Sequence, residues 1–243
     1  MNFLVFEDFA YPTSPGREMG ALTIKDYRNR TYTAEFLASY RDRFKKLNYG
    51  ATVGGNIYKV DNKTRIIMAQ NMVMRDAKAL ESFSERKIQE EPYCKQINSV
   101  YGSLNLGYDN FAYMDMTLRG DYSSTLPIQN NLYWYPSVSG SFLFSEFFHI
   151  NKEILPYGKV RASWAKVGHD TWPYLLQLMY EMAPNNFGKY PMASIANEVL
   201  PNKKLKPTMT NSMELGFELK FLNNRIGLDV TYYNQHSRDQ ILR

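Results

Sequence analysis

The sequence predicts an all-β fold, an antiparallel up-and-down transmembrane β-barrel segment of about eight sequential strands. Three observations predict it. Polar and apolar residues alternate in runs of about ten residues, roughly what crosses a membrane at a tilt. Short and long connections between those runs alternate along the whole chain. Finally, the 243 residues contain no apolar run long enough for a transmembrane helix, so any crossing must use strands.

Taken in order, Asn2 to Asn29 is polar and carries Pro12, Pro15 and Gly16, which reads as loop. Thr31–Arg41 alternates Tyr32, Ala34, Phe36, Ala38 and Tyr40 with polar neighbours, and Leu37 alone breaks the pattern. Lys46–Tyr58 continues the parity with Leu47, Tyr49, Ala51, Val53 and Ile57, which places Tyr40 opposite Leu47 across the link Asp42–Lys45. From Lys59 to Asn98 the alternation weakens and predicts a long excursion, with a helical turn or two over Asp76–Lys87 before Pro92.

The clearest pattern lies in Ser99–Asp121. Val100, Gly102, Leu104, Leu106 and Tyr108 share one parity, and Ala112, Met114, Met116 and Leu118 continue it after the Asp109-Asn110 turn. Because side chains alternate faces along a strand, this is a hairpin with one apolar and one polar face. A loop of Tyr108–Asn110 predicts Leu104 opposite Met114 and Asn105 opposite Tyr113, with Asn110 suited to a left-handed backbone.

Tyr122–Tyr135 is loop chemistry, followed by a strand over Ser137–Phe147 and a turn-like Phe148–Leu155. Tyr157–Val167 alternates again, with Val160, Ala162 and Trp164 against Lys159, Arg161 and Ser163. Gly168–Thr210 is a long irregular region with five prolines, a length that normally signals function. The last hairpin sets Met213, Leu215, Phe217, Leu219 and Phe221 across the Asn223-Asn224 turn from Ile226, Leu228, Val230 and Tyr232.

In an antiparallel meander, the links Asp42–Lys45, Tyr108–Asn110, Phe148–Leu155 and Asn223–Asn224 fall at one end. The long connections Lys59–Asn98, Tyr122–Tyr135 and Gly168–Thr210 fall at the other. This is the asymmetry of outer-membrane barrels, with Tyr40, Phe44, Tyr108, Phe111, Phe147, Phe148 and Phe221 forming an interfacial girdle near the short turns. The same alternation also fits a self-contained eight-stranded structural or adhesive barrel, or a soluble carbohydrate-binding β-sandwich.

Composition narrows the function classes. The net charge of +5 is dispersed, without a basic block interleaved with aromatics, which argues against nucleic acid. A single cysteine, Cys94, excludes an intramolecular disulfide. His149, His169 and His236 stand apart, without metal-ligand spacing, and Ser145 and Ser163 lie in polar strand rows rather than a nucleophile elbow. No catalytic constellation, metal site or cofactor is predicted. Candidate lumen-lining charges are Asp115, Arg119, Lys159, Arg161, Glu214, Glu218 and Asp229. Candidate substrate-loop aromatics are Tyr133, Trp134, Trp172 and Tyr174, whose ring faces suit stacking on sugars.

Five blocks resemble the barrel of SusC/RagA-like TonB-dependent transporters of Bacteroidetes outer membranes. They are YGATVGGNIYK (Tyr49–Lys59), INSVYGSLNLGYDNFAYMDMTLRGDYSSTLP (Ile97–Pro127), YPSVSGSFLFSE (Tyr135–Glu146), KVRASWAKVGHDTWPY (Lys159–Tyr174) and the stretch Leu200–Leu242. Their order and spacing match as well. The resemblance implies that residues 1–243 are a partial barrel domain, an internal piece of a larger plugged barrel. It also implies an outer-membrane location, import of a glycan or peptide solute, energy from TonB acting on a plug not contained in this sequence, and a SusD-like surface lipoprotein as partner. The signal peptide and terminal strands are expected to lie outside these residues.

Overall fold

A computed structural model describes residues 2–14, 17–74, 79–182, 189–196 and 200–241. Its strands form a nine-stranded antiparallel sheet in which neighbours in sequence are neighbours in space, except where one small hairpin is passed over. The strands are β1 (Asn2–Ser14), β2 (Arg17–Phe44), β3 (Leu47–Met72), β4 (Phe83–Tyr108), β5 (Ala112–Ser123), β6 (Leu132–Phe142), β7 (Tyr157–His169), β10 (Thr208–Phe221) and β11 (Ile226–Arg238). A separate small hairpin joins β8 (Tyr180–Met182) to β9 (Ala193–Ile195). The strand order leaves β1 and β11 at its two ends, so the eight-stranded closed barrel is not what this chain forms.

The chain divides into two compact units, Met1–Thr33 with Tyr58–Gln96, and Ala34–Ile57 with Ile97–Arg243. In the first, β1 pairs with β2 from Asn2↔Asn29 to Ser14↔Arg17. This overturns the loop expected over Asn2–Asn29. The excursion expected over Lys59–Asn98 is also mostly strand, because β3 runs on to Met72 and β4 begins at Phe83. Between them the described residues hold a 3-10 turn, Leu80–Ser82, and the Val73 amide donates to the Ser82 carbonyl at 2.7 Å. The helix considered at Asp76–Lys87 therefore reduces to that turn, residues 75–78 lying outside the described residues. Leu22, Ala69 and Phe83 are buried together against Phe9, Ile24, Met72 and Leu80.

Pro92 lies inside β4 rather than ending an element. Proline lacks a ladder donor and is tolerated where a strand has a free side. The ladder from β4 to β5 begins only at Ile97, so Pro92 sits where that side of β4 has no β5 partner.

In the second unit the parity of the apolar residues survives every turn while the predicted registers shift. Leu104 faces Met116 and Asn105 faces Asp115, two positions from the expected pairing. The loop keeps three residues but lies one position further along the chain, at Asp109–Phe111. Asp109 and Asn110 both take left-handed φ, 46° and 62°. At the first turn Lys45-Lys46 alone separate β2 from β3, and Ser39 Oγ lies 3.0 Å from Thr52 Oγ1, which excludes Tyr40 opposite Leu47. Each correction moves a register by an even step, so no side chain changes face.

One face therefore carries a continuous apolar band: Leu104, Met116, Val138, Trp164 and Met213 follow one another across the ladders. Leu215 pairs with Tyr232 and Phe217 with Val230 on the same face, while Glu218 pairs with Asp229 on the other. These apolar side chains are open to the surroundings, Trp164 at 41% and Leu215 at 43% of full exposure. A soluble sandwich would cover such a face with a second sheet; here it is bare.

The strand expected over Ser137–Phe147 is displaced toward the N-terminus: β6 ends at Phe142 and a one-turn helix, α1 (Phe144–Phe147), follows. Phe111, Phe142 and Phe147 pack with ring centroids 5.1–5.8 Å apart, and Tyr108 and Phe148 extend the cluster. Aromatic rings thus concentrate beside the turns Asp109–Phe111 and Leu143–Pro156.

Candidate functional site: the polar wall and its loop cluster

The registers place all seven predicted lumen-lining charges on the face opposite the apolar band. Asp115, Ser139, Ser163 and Glu214 follow one another across β5, β6, β7 and β10. Beside them Ser141, Arg161, Gly216 and Thr231 form a second row, and Lys159, Glu218 and Asp229 a third. Small hydroxyl residues between charged ones leave a cleft of about 250 Å3 lined by Asp115, Ser139, Lys159, Arg161, Ser163 and Glu214.

Within this wall the charges are tied across strands. Arg161 Nη2 donates to Asp229 Oδ1 at 3.0 Å and to Thr231 Oγ1 at 2.6 Å. Asn105 Nδ2 donates to Asp115 Oδ1 at 2.6 Å, and the Thr117 and Ser137 hydroxyls lie 2.6 Å apart. Arg119 binds Asp121 through Nε at 2.8 Å and Ser99 through Nη2 at 2.9 Å, and the Tyr135 hydroxyl donates to the second Asp121 oxygen. Asp121 is only 6% exposed, so this shared set of donors is what allows a carboxylate to be buried there.

The aromatic candidates separate. Tyr133 and Trp134 are not in a loop: β6 starts at Leu132, and the connection before it has shrunk to residues 124–131. Tyr133 is buried and stacks on Tyr135 with centroids 6.0 Å apart. Trp134 is paired with Gly120 on the apolar face, where its ring covers the glycine and lies beside Val100, Met116 and Leu118. A ring on that side is turned away from the polar wall. Loop chemistry over Tyr122–Tyr135 concealed this strand start, and Pro136 is tolerated inside the strand because the β6–β7 ladder runs only from Ser137 to Phe142.

Trp172 and Tyr174 do lie in the long connection between β7 and β10. Trp172 is exposed, whereas Tyr174 is half-buried in a turn with φ at 69°. Sequence reasoning missed the buried polar group at the foot of this connection. Ser123, Thr125, Asn131, Asp170 and Thr171 are all less than a tenth exposed, together with Leu126 and Tyr133. The only sequence signal was local, a Ser-Ser-Thr turn and an Asp after the last strand residue, with nothing to show that the two meet.

A bare apolar belt, a charged wall and turns flanked by aromatics are the features of a transmembrane β-barrel wall. The family model for the TonB-dependent receptor-like β-barrel matches residues 4–243, and the chain belongs to that family. Its relatives include TonB-dependent receptor P26 of Formosa agariphila, 28% identical over 149 residues that make up 60% of this chain and 15% of that protein. TonB-dependent receptor P3 of the same organism is 24% identical over 231 residues, 92% of this chain and 23% of that protein. Among solved structures the fold is similar to the RagAB peptide transporter, with a TM-score of 0.84 and 18% identity over 99% of this chain and 27% of that one. The closed-closed state of the RagAB peptide importer gives 0.83 and 19% over 97% and 27%. The chain thus spans less than a quarter of these two receptors and about a quarter of the solved chains.

Proposed function

We propose that this chain is a wall segment of an outer-membrane transporter that imports a glycan or peptide. TonB supplies the energy through a plug outside these residues, and a SusD-like surface lipoprotein captures the solute. The observation that carries the reading is the segregation of faces through the middle of the ladders from β4 to β11, apolar residues bare on one side and the charged rows on the other. Strands of 11 and 12 residues, as in β6 and β5, have the reach to cross hydrocarbon at a tilt. Peptide transport by the RagAB neighbour favours the peptide branch for that protein and makes it the first solute to try here.

The residue 124–131 and 170–207 connections follow strands that run in the same direction, which puts them on the outer side in this reading. Trp172 and Tyr174 are then the aromatics that meet solute, and the charged rows line its path. In the intact protein, Trp172→Ala should weaken capture of a fluorescein-labelled tryptic casein digest or labelled dextran oligomers several-fold, a stacking loss of about 0.5–1.5 kcal/mol. Heat-modifiable migration on gels should remain that of wild type. Unchanged capture of both probes would remove the role given to Trp172, and absence of the protein from outer-membrane fractions would remove the reading as a whole.

A further inference from the structure

We infer that Asp170 is a positioning residue that clasps the long β7–β10 connection to the 124–131 connection and so sets where Trp172 and Tyr174 stand; the part given to solute rests on the transport reading above. Side chains of the described strands are mostly open, yet the polar group at the foot of the long connection is enclosed. Ser123 is 0%, Thr125 3% and Asp170 4% exposed. The Ser123 hydroxyl donates to Asp170 Oδ2 at 2.5 Å and the Thr125 hydroxyl donates to the same oxygen at 3.2 Å. The Thr125 amide in turn donates to Ser123 Oγ at 3.3 Å, and the Ser123 amide donates to the Asn131 carbonyl at 2.9 Å. A carboxylate out of water is tolerated only with such donors, so the loop position of Asp170 and the shape of the 124–131 turn fix each other.

The same short connection also holds the far root of the long one. Asn130 Nδ2 donates to the Leu205 carbonyl at 2.9 Å and to the Lys204 carbonyl at 3.4 Å. Tyr133 closes the base, lying so close over Gly168 that a Cβ there would come within 2.5 Å of its ring. Entry and exit of the long connection are therefore pinned to one anchor, and Trp172 follows the entry pin by two residues. Tyr174 adds an independent sign of constraint. A bulky side chain at φ 69° is strained, and such a conformation persists only where its surroundings over-determine it. The Gln177 amide, donating to the Tyr174 carbonyl at 3.2 Å, closes that turn just beyond the clasp.

Hydrogen exchange on the intact protein in detergent tests the clasp without reference to solute. Asp170→Asn and Ser123→Ala should each speed exchange of amides in residues 124–131 and 170–182 by tenfold or more, leaving β5 and β7 protected. Ser123→Thr, which keeps the hydroxyl donor, should exchange like wild type. If Asp170→Asn does not assemble, as gel migration will show, the Ser123 pair carries the test. Wild-type exchange in Asp170→Asn, or in Ser123→Ala, overturns the clasp. The positioning role is read from capture of the labelled casein digest or dextran oligomers: Asp170→Asn should lower it as Trp172→Ala does, and the double variant should fall no further. Faster loop exchange with wild-type capture in Asp170→Asn, while Trp172→Ala is impaired, overturns the positioning role. Wild-type capture by Trp172→Ala with faster exchange in Asp170→Asn would instead count against the transport reading of the loop and leave the clasp supported.

Discussion

Arg161 on β7 reaches over Gly216 of β10 to bind Asp229 and Thr231 on β11, tying three strands together on the polar face. The crossing requires the glycine. A Cβ at position 216 would stand 2.6 Å from Arg161 Nε, so Gly216→Ala should displace the guanidinium and lose the same contacts that Arg161→Ala loses. The pair is substantially exposed, which keeps its worth to about 1 kcal/mol or less. Urea unfolding of the intact protein from vesicles should show that small loss in each single variant and no further loss in the Gly216→Ala, Arg161→Ala double variant. Full additivity would contradict the shared contact.

The two faces should respond oppositely to charge. Leu215→Arg puts a guanidinium on the apolar band, where lipid-facing arginine near the bilayer midplane costs about 2–4 kcal/mol. Ser139→Arg, on the polar wall beside Asp115 and Ser163, should cost far less. Unfolding midpoints of the two variants from the same vesicles compare them directly, and equal costs would count against a lipid-facing band.

The turns carry their own pair. Lys46 Nζ lies 2.6 Å from Asp109 Oδ2, and the hydrogen bond to that carboxylate raises the lysine's pKa above its ordinary value. Because the folded value is raised, the contribution is fully present below the ordinary lysine pKa of about 10.4 and is lost as pH rises through the raised value. The stability difference between wild type and Lys46→Met should therefore be flat from neutral pH to about 9 and vanish at higher alkalinity. A difference that disappears instead near neutrality would show that the ion pair is not its source.

How much was legible follows from where the two faces differ. The hairpins around Asp109-Asn110 and Asn223-Asn224 could be read because one face is apolar and the other polar, so parity alone oriented each strand. Their registers could not, since an even shift preserves every face; only the turn geometry, two left-handed residues at Asp109 and Asn110, distinguishes Leu104↔Met116 from Leu104↔Met114. The stretch Ser84–Glu91 of β4 was illegible because its residues are exposed on both sides. A ladder of backbone hydrogen bonds needs no apolar periodicity, and without it lysines and glutamates read as loop. Pro92 deepened the error, sitting where the β4–β5 ladder has not yet begun. At the site, the charged wall was visible as parity. The clasp between Ser123 and Asp170 joins residues 47 apart in sequence, and no local pattern encodes such a contact.

The central claim is that this sheet stands between lipid and water, its apolar parity outward. Single cysteines at Met114, Asp115, Met116 and Thr117, placed in a Cys94→Ser background of the intact protein, test it most directly. A small membrane-impermeant maleimide applied to permeabilised outer membranes should label positions 115 and 117 and spare 114 and 116. Equal labelling of all four positions, or the reverse pattern, would contradict it.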